Sequence, residues 1–183
     1  GVGKQEFEMQ AALAAGILMF NVESAQELET LSRLAQEMRS TAKISLRINP
    51  DVDPQTHPYI STGLKENKFG IEMSQALNLY TRAKDLPGIE PVGIDCHIGS
   101  QLTQIEPFLD ALDRLKSLRD QLTEMGMNIQ YLDLGGGLGI TYGEEDPPHP
   151  REFGKALSQA LQKDDLTLIL EPGRVIAGNA GIL

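Results

Sequence analysis

Tryptophan is absent, cysteine occurs once and basic residues are outnumbered, and each shortage narrows what the chain can be. One thiol, Cys96, permits neither an internal disulfide nor a multi-cysteine metal centre. The three histidines, His57, His97 and His149, lie far apart with no metal-ligand spacing, so no metal site is expected. With 16 Lys and Arg against 26 Asp and Glu, the net charge is −10. That balance argues against nucleic acid, whose phosphates are bound by clustered cations, and requires any anionic ligand to be captured locally. No apolar run is long enough to cross a bilayer, and Gly1-Val2-Gly3-Lys4-Gln5 does not read as a signal peptide. A reducing cytoplasm is the expected compartment.

What the chain has is regular alternation of β-type and helical patterns over 183 residues. A helix is expected over 5–15, with Phe7, Ala11, Leu13 and Ala14 on its buried face and Gly16 as its stop. A strand follows at 17–22. Ser24 starts a helix to about Met38, with Glu27 completing a capping box. Residues 43–49 form a strand ended by Pro50, and a long irregular stretch runs from Asp51 to Asn67. Further helices are expected over 74–84, 106–125 and 151–163, the second burying Phe108, Leu112, Leu115, Leu118 and Leu122. Strands are expected over 92–97, 129–134 and 166–170, with a short one at 68–71. Five or six β-α units imply a parallel sheet, either doubly wound or part of a (β/α)8 barrel. Both chain ends look like cuts through a larger protein.

The unusual residues come just after strands, on the edge where parallel α/β folds bind ligands. Gly135-Gly136-Gly137 after Leu134 lets backbone amides ring an anion; the other reading is a plain tight turn. Glu171-Pro172-Gly173-Arg174 offers a carboxylate, a glycine amide and a guanidinium suited to phosphate or carboxylate; the other reading is a turn with a surface ion pair. In Asp95-Cys96-His97, alternation puts Asp95 and His97 on one face and Cys96 on the other, as a buried filler. Together these parts suit pyridoxal 5'-phosphate: an anion cradle, a carboxylate for the ring nitrogen and a flat partner for the ring. A carboxylate that keeps the ring nitrogen protonated makes the ring a strong electron sink, as decarboxylation requires.

Phe20–Ser24, Ser45–Pro50, His57–Ile71, His97–Gln101, Leu132–Ile140 and Glu171–Arg174 stand in the order of a known family. The chain resembles the diaminopimelate decarboxylase branch of the fold-type III, alanine-racemase-like PLP enzymes. Ornithine and arginine decarboxylases share the glycine run and Glu-Pro-Gly-Arg, whereas His57–Ile71 and Gln101 point to the diaminopimelate branch. The resemblance implies an α/β fold, a PLP-binding TIM-type barrel present in part over 1–183. It implies decarboxylation of meso-2,6-diaminopimelate to L-lysine and CO₂ by the full-length enzyme. A sister decarboxylase of ornithine, arginine or carboxynorspermidine, or a non-catalytic PLP-binding homologue, are the alternatives. It also implies an amino-acid substrate and a homodimer.

Carried over residue by residue, the resemblance has His97 stacking on the PLP ring and Glu171 pairing with its nitrogen, both as catalytic residues. Ser100, Gly135, Gly136, Gly137, Pro172, Gly173 and Arg174 would line the phosphate, and the Arg174 side chain would take a substrate carboxylate. Arg47 and Lys68 face the same rim, as ligands or as a structural ion pair. The family's Schiff-base lysine has no counterpart in this sequence, and its C-terminal β-domain is missing. The stretch by itself is therefore expected to be inactive.

Overall fold

Ala42, Ile44, Leu46 and Ile48 alternate with Lys43, Ser45, Arg47 and Asn49, a period of two that an extended strand sorts onto two faces. In the computed structural model, which describes residues 1–52, 69–178 and 180–181, this segment is the central strand β2 (Ala42–Asn49). The chain runs α1 (Glu6–Ala15), β1 (Phe20–Val22), α2 (Ala25–Glu37), β2, β3 (Ile71–Glu72) and α3 (Met73–Asp85). It continues with β4 (Ile89–Asp95), α4 (Glu106–Glu124), β5 (Tyr131–Asp133), α5 (Pro150–Ala160), β6 (Thr167–Ile169) and α6 (Arg174–Ala177). Most of the Asp51–Asn67 stretch, with His57 and Lys68, lies outside the described residues.

All strand pairs are parallel, in the order β1-β2-β4-β5-β6, with β3 added to the end of β2 through Ile48 and Ile71. The order never reverses, whereas a doubly wound sheet must reverse at its switch point. A contact across the sheet shows its curvature. The Asn21 amide on β1 donates to Glu171, just past β6, at 3.2 Å, and to Asp133 on β5 at 3.0 Å. In a flat sheet β1 and β6 would lie four spacings apart, roughly 19 Å. The sheet therefore curls around a concave face, as in a barrel wall, and the barrel alternative holds.

The convex face is the core. Ile44, Leu46, Ile48, Ile94, Cys96, Leu132 and Leu134 join Leu28 and Leu31 of α2, Tyr80 of α3, Phe108, Leu112, Leu115, Leu118 and Leu122 of α4, and Leu157 of α5 in one cluster. Phe108 meets Phe153 edge-on at 4.7 Å, tying α4 to α5. The α4 face expected from periodicity is the buried face. For α1 it is not. Met9 and Leu13 are buried, while Phe7 is 69% exposed and Ala11 and Ala14 are open to solvent. That helix carries apolar residues around most of its circumference, so spacing could not choose its face. Ser24 caps α2 by accepting from the Glu27 amide at 3.2 Å. The expected return bond of a capping box is not made, because the Glu27 carboxylate pairs with Lys4 at 2.6 Å. Ile17 and Leu18 precede β1 instead of belonging to it, and His97 lies beyond the end of β4. Among the described residues no helix is long and apolar enough to cross a membrane.

One buried phenol holds the wall together where its ladder slips. Between β2 and β4, Ile44 pairs with Pro91 but Ser45 with Gly93, so Val92 is an extra residue, a β-bulge. Tyr80 fills the break, donating to the Gly93 carbonyl at 2.7 Å and accepting from the Leu46 amide at 3.1 Å. Burial pushes its ionisation far up, so the hydroxyl keeps its proton. Tyr80→Phe leaves a buried N–H and a buried C=O without this partner. The expected loss is about 1–3 kcal/mol in urea unfolding of the full-length protein, a range that an exposed Tyr→Phe change would not reach.

Candidate functional site

Strand parity decides which side chains meet on the concave face. Asn21, Ser45, Arg47, Asp95, Asp133 and Glu171 share the parity opposite to the core residues; Asp95 and Asp133 end their strands and Glu171 follows β6. Asp95 (4% exposed) and Asp133 (2%) are adjacent in register and buried, and Glu171 stands at the mouth. Burial, then the charges of Asp133 and Glu171, hold the Asp95 carboxyl well above the usual range. Burial, then Asp133, also raises Glu171. Arg47 relieves part of this crowding. The result is an acidic pole that favours a cation or a proton.

The loops above that pole are packed backbone to backbone. The ladder runs on past β5 and β6, the Glu171 amide donating to the Gly135 carbonyl at 2.8 Å. A Cβ on Gly136 would lie 2.4 Å from the Glu171 carbonyl oxygen, and one on Gly137, at φ +119, would lie 2.4 Å from the Gly99 oxygen. The Gly136 amide donates to His97 Nδ1 at 3.3 Å. That bond makes Nδ1 an acceptor and leaves the ring proton on Nε2. Burial and then the Arg47 charge lower the imidazole pKa, favouring this neutral form. The glycine run thus packs against the other two segments, 97–100 and 171–173, that the sequence singled out.

Gln101 clamps two of those segments. At φ +60 its side-chain oxygen accepts from the Ile140 amide at 3.1 Å, and its nitrogen donates to the Ile140 carbonyl. The Leu102 amide donates to Gly137 at 2.9 Å and Gly139 donates back to Leu102 at 2.9 Å. Among the described residues, the amides of Gly137, Gly173 and Arg174 and the hydroxyl of Ser100 meet no acceptor. Pro172, between Glu171 and Gly173, brings no donor. The rim is thus rich in unengaged donors and its floor is acidic.

The cations the sequence offered are placed differently. Arg47 forms the ion pair that was one of its two readings, Nη1 reaching both Glu23 oxygens at 2.9 and 3.0 Å. The Arg174 side chain is exposed, donating to the Tyr142 hydroxyl at 3.1 Å with its guanidinium 5.7 Å from that ring. Lys68 lies outside the described residues. Sequence reasoning gave no role to Asn21, Asp133 or the Gln101 side chain. For Asn21 and Asp133 the signal was present: each is a polar residue between apolar neighbours in a strand, with the parity of Asp95 and Glu171.

Comparison with known proteins bears on this arrangement. The family model "Pyridoxal-dependent decarboxylase, pyridoxal binding domain" matches residues 1–178. Diaminopimelate decarboxylase of Pseudomonas aeruginosa is 57% identical over 183 residues, all of this chain and 44% of that protein. The chain thus spans under half the length of the curated relatives it matches. A crystal structure of diaminopimelate decarboxylase from Helicobacter pylori complexed with L-lysine superposes with a TM-score of 0.90 at 45% identity, covering 96% of this chain and 45% of that one. An arginine decarboxylase of Paramecium bursaria Chlorella virus superposes with a TM-score of 0.74 at 27% identity, covering 93% of this chain and 44% of that one.

Pyridoxal phosphate, the cofactor of this family, pairs a basic ring nitrogen with a phosphate dianion. The site has the matching polarity, a carboxylate pole that favours a proton and a rim of donors without acceptors. The residues present fit the group.

Proposed function

We propose that this chain, which belongs to the pyridoxal-dependent decarboxylases through their pyridoxal-binding domain, is the cofactor-holding barrel wall of an enzyme converting meso-2,6-diaminopimelate to L-lysine and CO₂. The observation that carries the reading is the position of Gly136, its amide on His97 Nδ1 and its Cα face against the Glu171 carbonyl. It joins the imidazole, the glycine run and the Glu-Pro-Gly-Arg turn in one place. The names of the relatives supply the substrate.

Within this reading each residue has one task. Glu171 would hold a proton on the ring nitrogen, and His97, neutral, would support the ring. Ser100, the Gly135–Gly137 turn and the backbone of Gly173 and Arg174 would hold the phosphate, with Pro172 holding the turn. The Arg174 side chain, exposed beside Tyr142, is free to swing to a substrate carboxylate. Arg47, tied to Glu23, acts as a fixed charge near the imidazole. When bound, the cofactor supplies the electron sink for loss of CO₂. The reading extends to a homodimer in the cytoplasm, the compartment being favoured by a lone thiol that is buried and unpaired.

The test is turnover by the full-length protein with meso-diaminopimelate, ornithine and arginine offered separately and in competition. Lysine and CO₂ from meso-diaminopimelate alone support the proposal. Preference for ornithine or arginine moves it to the sister enzymes, and cofactor binding without turnover makes the protein a non-catalytic homologue.

A further inference from the structure

Asn21 stands in the middle of β1 with its neighbours Phe20 and Val22 buried in the core, so its amide alone reaches the concave face. There it makes three contacts. Its oxygen accepts from the Ser45 hydroxyl at 2.5 Å. Its nitrogen donates to Asp133 Oδ2 at 3.0 Å and to Glu171 Oε1 at 3.2 Å. An amide could in principle be turned the other way, but ionised carboxylates only accept, so the NH₂ must face the two acids. Ser45 is fully buried, and its hydroxyl bonds only Asn21 among the described residues. Asp133 is fixed independently, its Oδ1 accepting from the Gly135 amide at 2.9 Å.

We infer that Asn21 is a positioning residue for Glu171, its amide locked by Ser45 so that one N–H anchors Asp133 and the other sets the direction of the Glu171 carboxylate. The inference rests on the reading that Glu171 faces the ring nitrogen of pyridoxal phosphate. It follows from the fold: Glu171 stands at the mouth just past a short strand, and the group that steers it comes from the far edge of the sheet. The Asp133 and Glu171 carboxylates lie close enough to share one proton, and the Asn21 nitrogen holds both toward itself.

The test compares pyridoxal phosphate with 1-deaza-pyridoxal phosphate, which has carbon in place of the ring nitrogen, as ligands of the full-length protein. Affinities are read by fluorescence titration without substrate. In the parent protein the nitrogen-containing ligand binds more tightly. Asn21→Ala is expected to weaken it roughly tenfold, the scale of one hydrogen bond to a charged group, while the deaza ligand changes less than about twofold. Ser45→Ala, which unlocks the amide but leaves it in place, is expected to give a smaller loss with the same selectivity. Equal losses for both ligands would mark a general structural role and overturn the inference, as would no loss for either. If Asn21→Ala does not fold, Ser45→Ala decides by the same criterion. A parent protein that does not distinguish the two ligands removes the Glu171 reading itself, and that result is separate because it appears before any substitution is made.

Discussion

Alanine at position 136 is expected to remove cofactor binding and destabilise the protein together, whereas alanine at position 173 should affect cofactor binding alone. Both positions lie in the glycine-containing turns that the sequence marks, and composition does not separate them. Their surroundings do. A Cβ at 136 meets the Glu171 carbonyl oxygen at 2.4 Å, a backbone atom with no rotamer to escape through. Relief requires the 171–173 turn to move off the glycine run, which breaks the Glu171 to Gly135 hydrogen bond and turns the carboxylate. Overpacking of this kind costs about 1–3 kcal/mol, and the lost bond adds roughly 1 kcal/mol. At 173 the φ is −106° and nothing lies within 4 Å of a Cβ, so alanine strains nothing. If a phosphate sits against that turn, the new methyl group intrudes on it. The measurements are urea unfolding of the cofactor-free protein and a pyridoxal phosphate titration of each variant. Wild-type stability and affinity in Gly136→Ala would show that the three segments do not act as one site.

The segments that meet in this cluster were legible in the sequence, and the physical reason lies in where the information is held. His97, the glycine run and Glu171 announce themselves because strand ends followed by glycine or proline are local patterns, and the fold brings such ends to one edge. Asn21 and Asp133 are equally part of the cluster, but strand alternation gives each only a face and no partner. Their meaning depends on the curl of the sheet, which brings residues 150 apart in sequence into hydrogen-bond contact. The same limit explains the errors. The face of α1 could not be read because its apolar residues do not favour one side, and Glu27 leaves its cap because Lys4, distant in sequence, offers a full charge. The bulge at Val92 and its Tyr80 plug belong to register, which periodicity leaves open.

The second large effect concerns the charge of Glu171. Glu171→Gln keeps shape and hydrogen-bonding capacity but removes the group that would hold a proton on the ring nitrogen. Turnover of meso-diaminopimelate by the full-length enzyme is expected to fall by roughly 10²–10³, the scale of a lost electrostatic contact to developing charge. Cofactor affinity should fall by only about tenfold, since the phosphate contacts remain. Unchanged turnover would end the electron-sink role. The pH dependence gives an independent check. Burial and the neighbouring Asp133 raise the Glu171 carboxyl, so as pH falls it takes up a proton earlier than an ordinary glutamate would. In the cofactor-free protein the Glu171 carboxyl should therefore titrate above an ordinary glutamate, a direction that an NMR titration reads. Asp133→Asn removes the like charge and should move that titration to lower pH. The stability of the cofactor-free protein follows the same protons. Between the unfolded and the raised native values of Asp95 and Glu171 the native state holds more protons, so these groups weaken the fold as pH rises through that window. A protonated ring nitrogen beside Glu171 offsets that penalty. Pyridoxal phosphate should accordingly stabilise the parent protein more, relative to its cofactor-free form, at neutral pH than at pH about 5, and thermal unfolding at the two pH values measures the difference. A gain that does not grow with pH would mean that the ring nitrogen does not sit against the acidic pole.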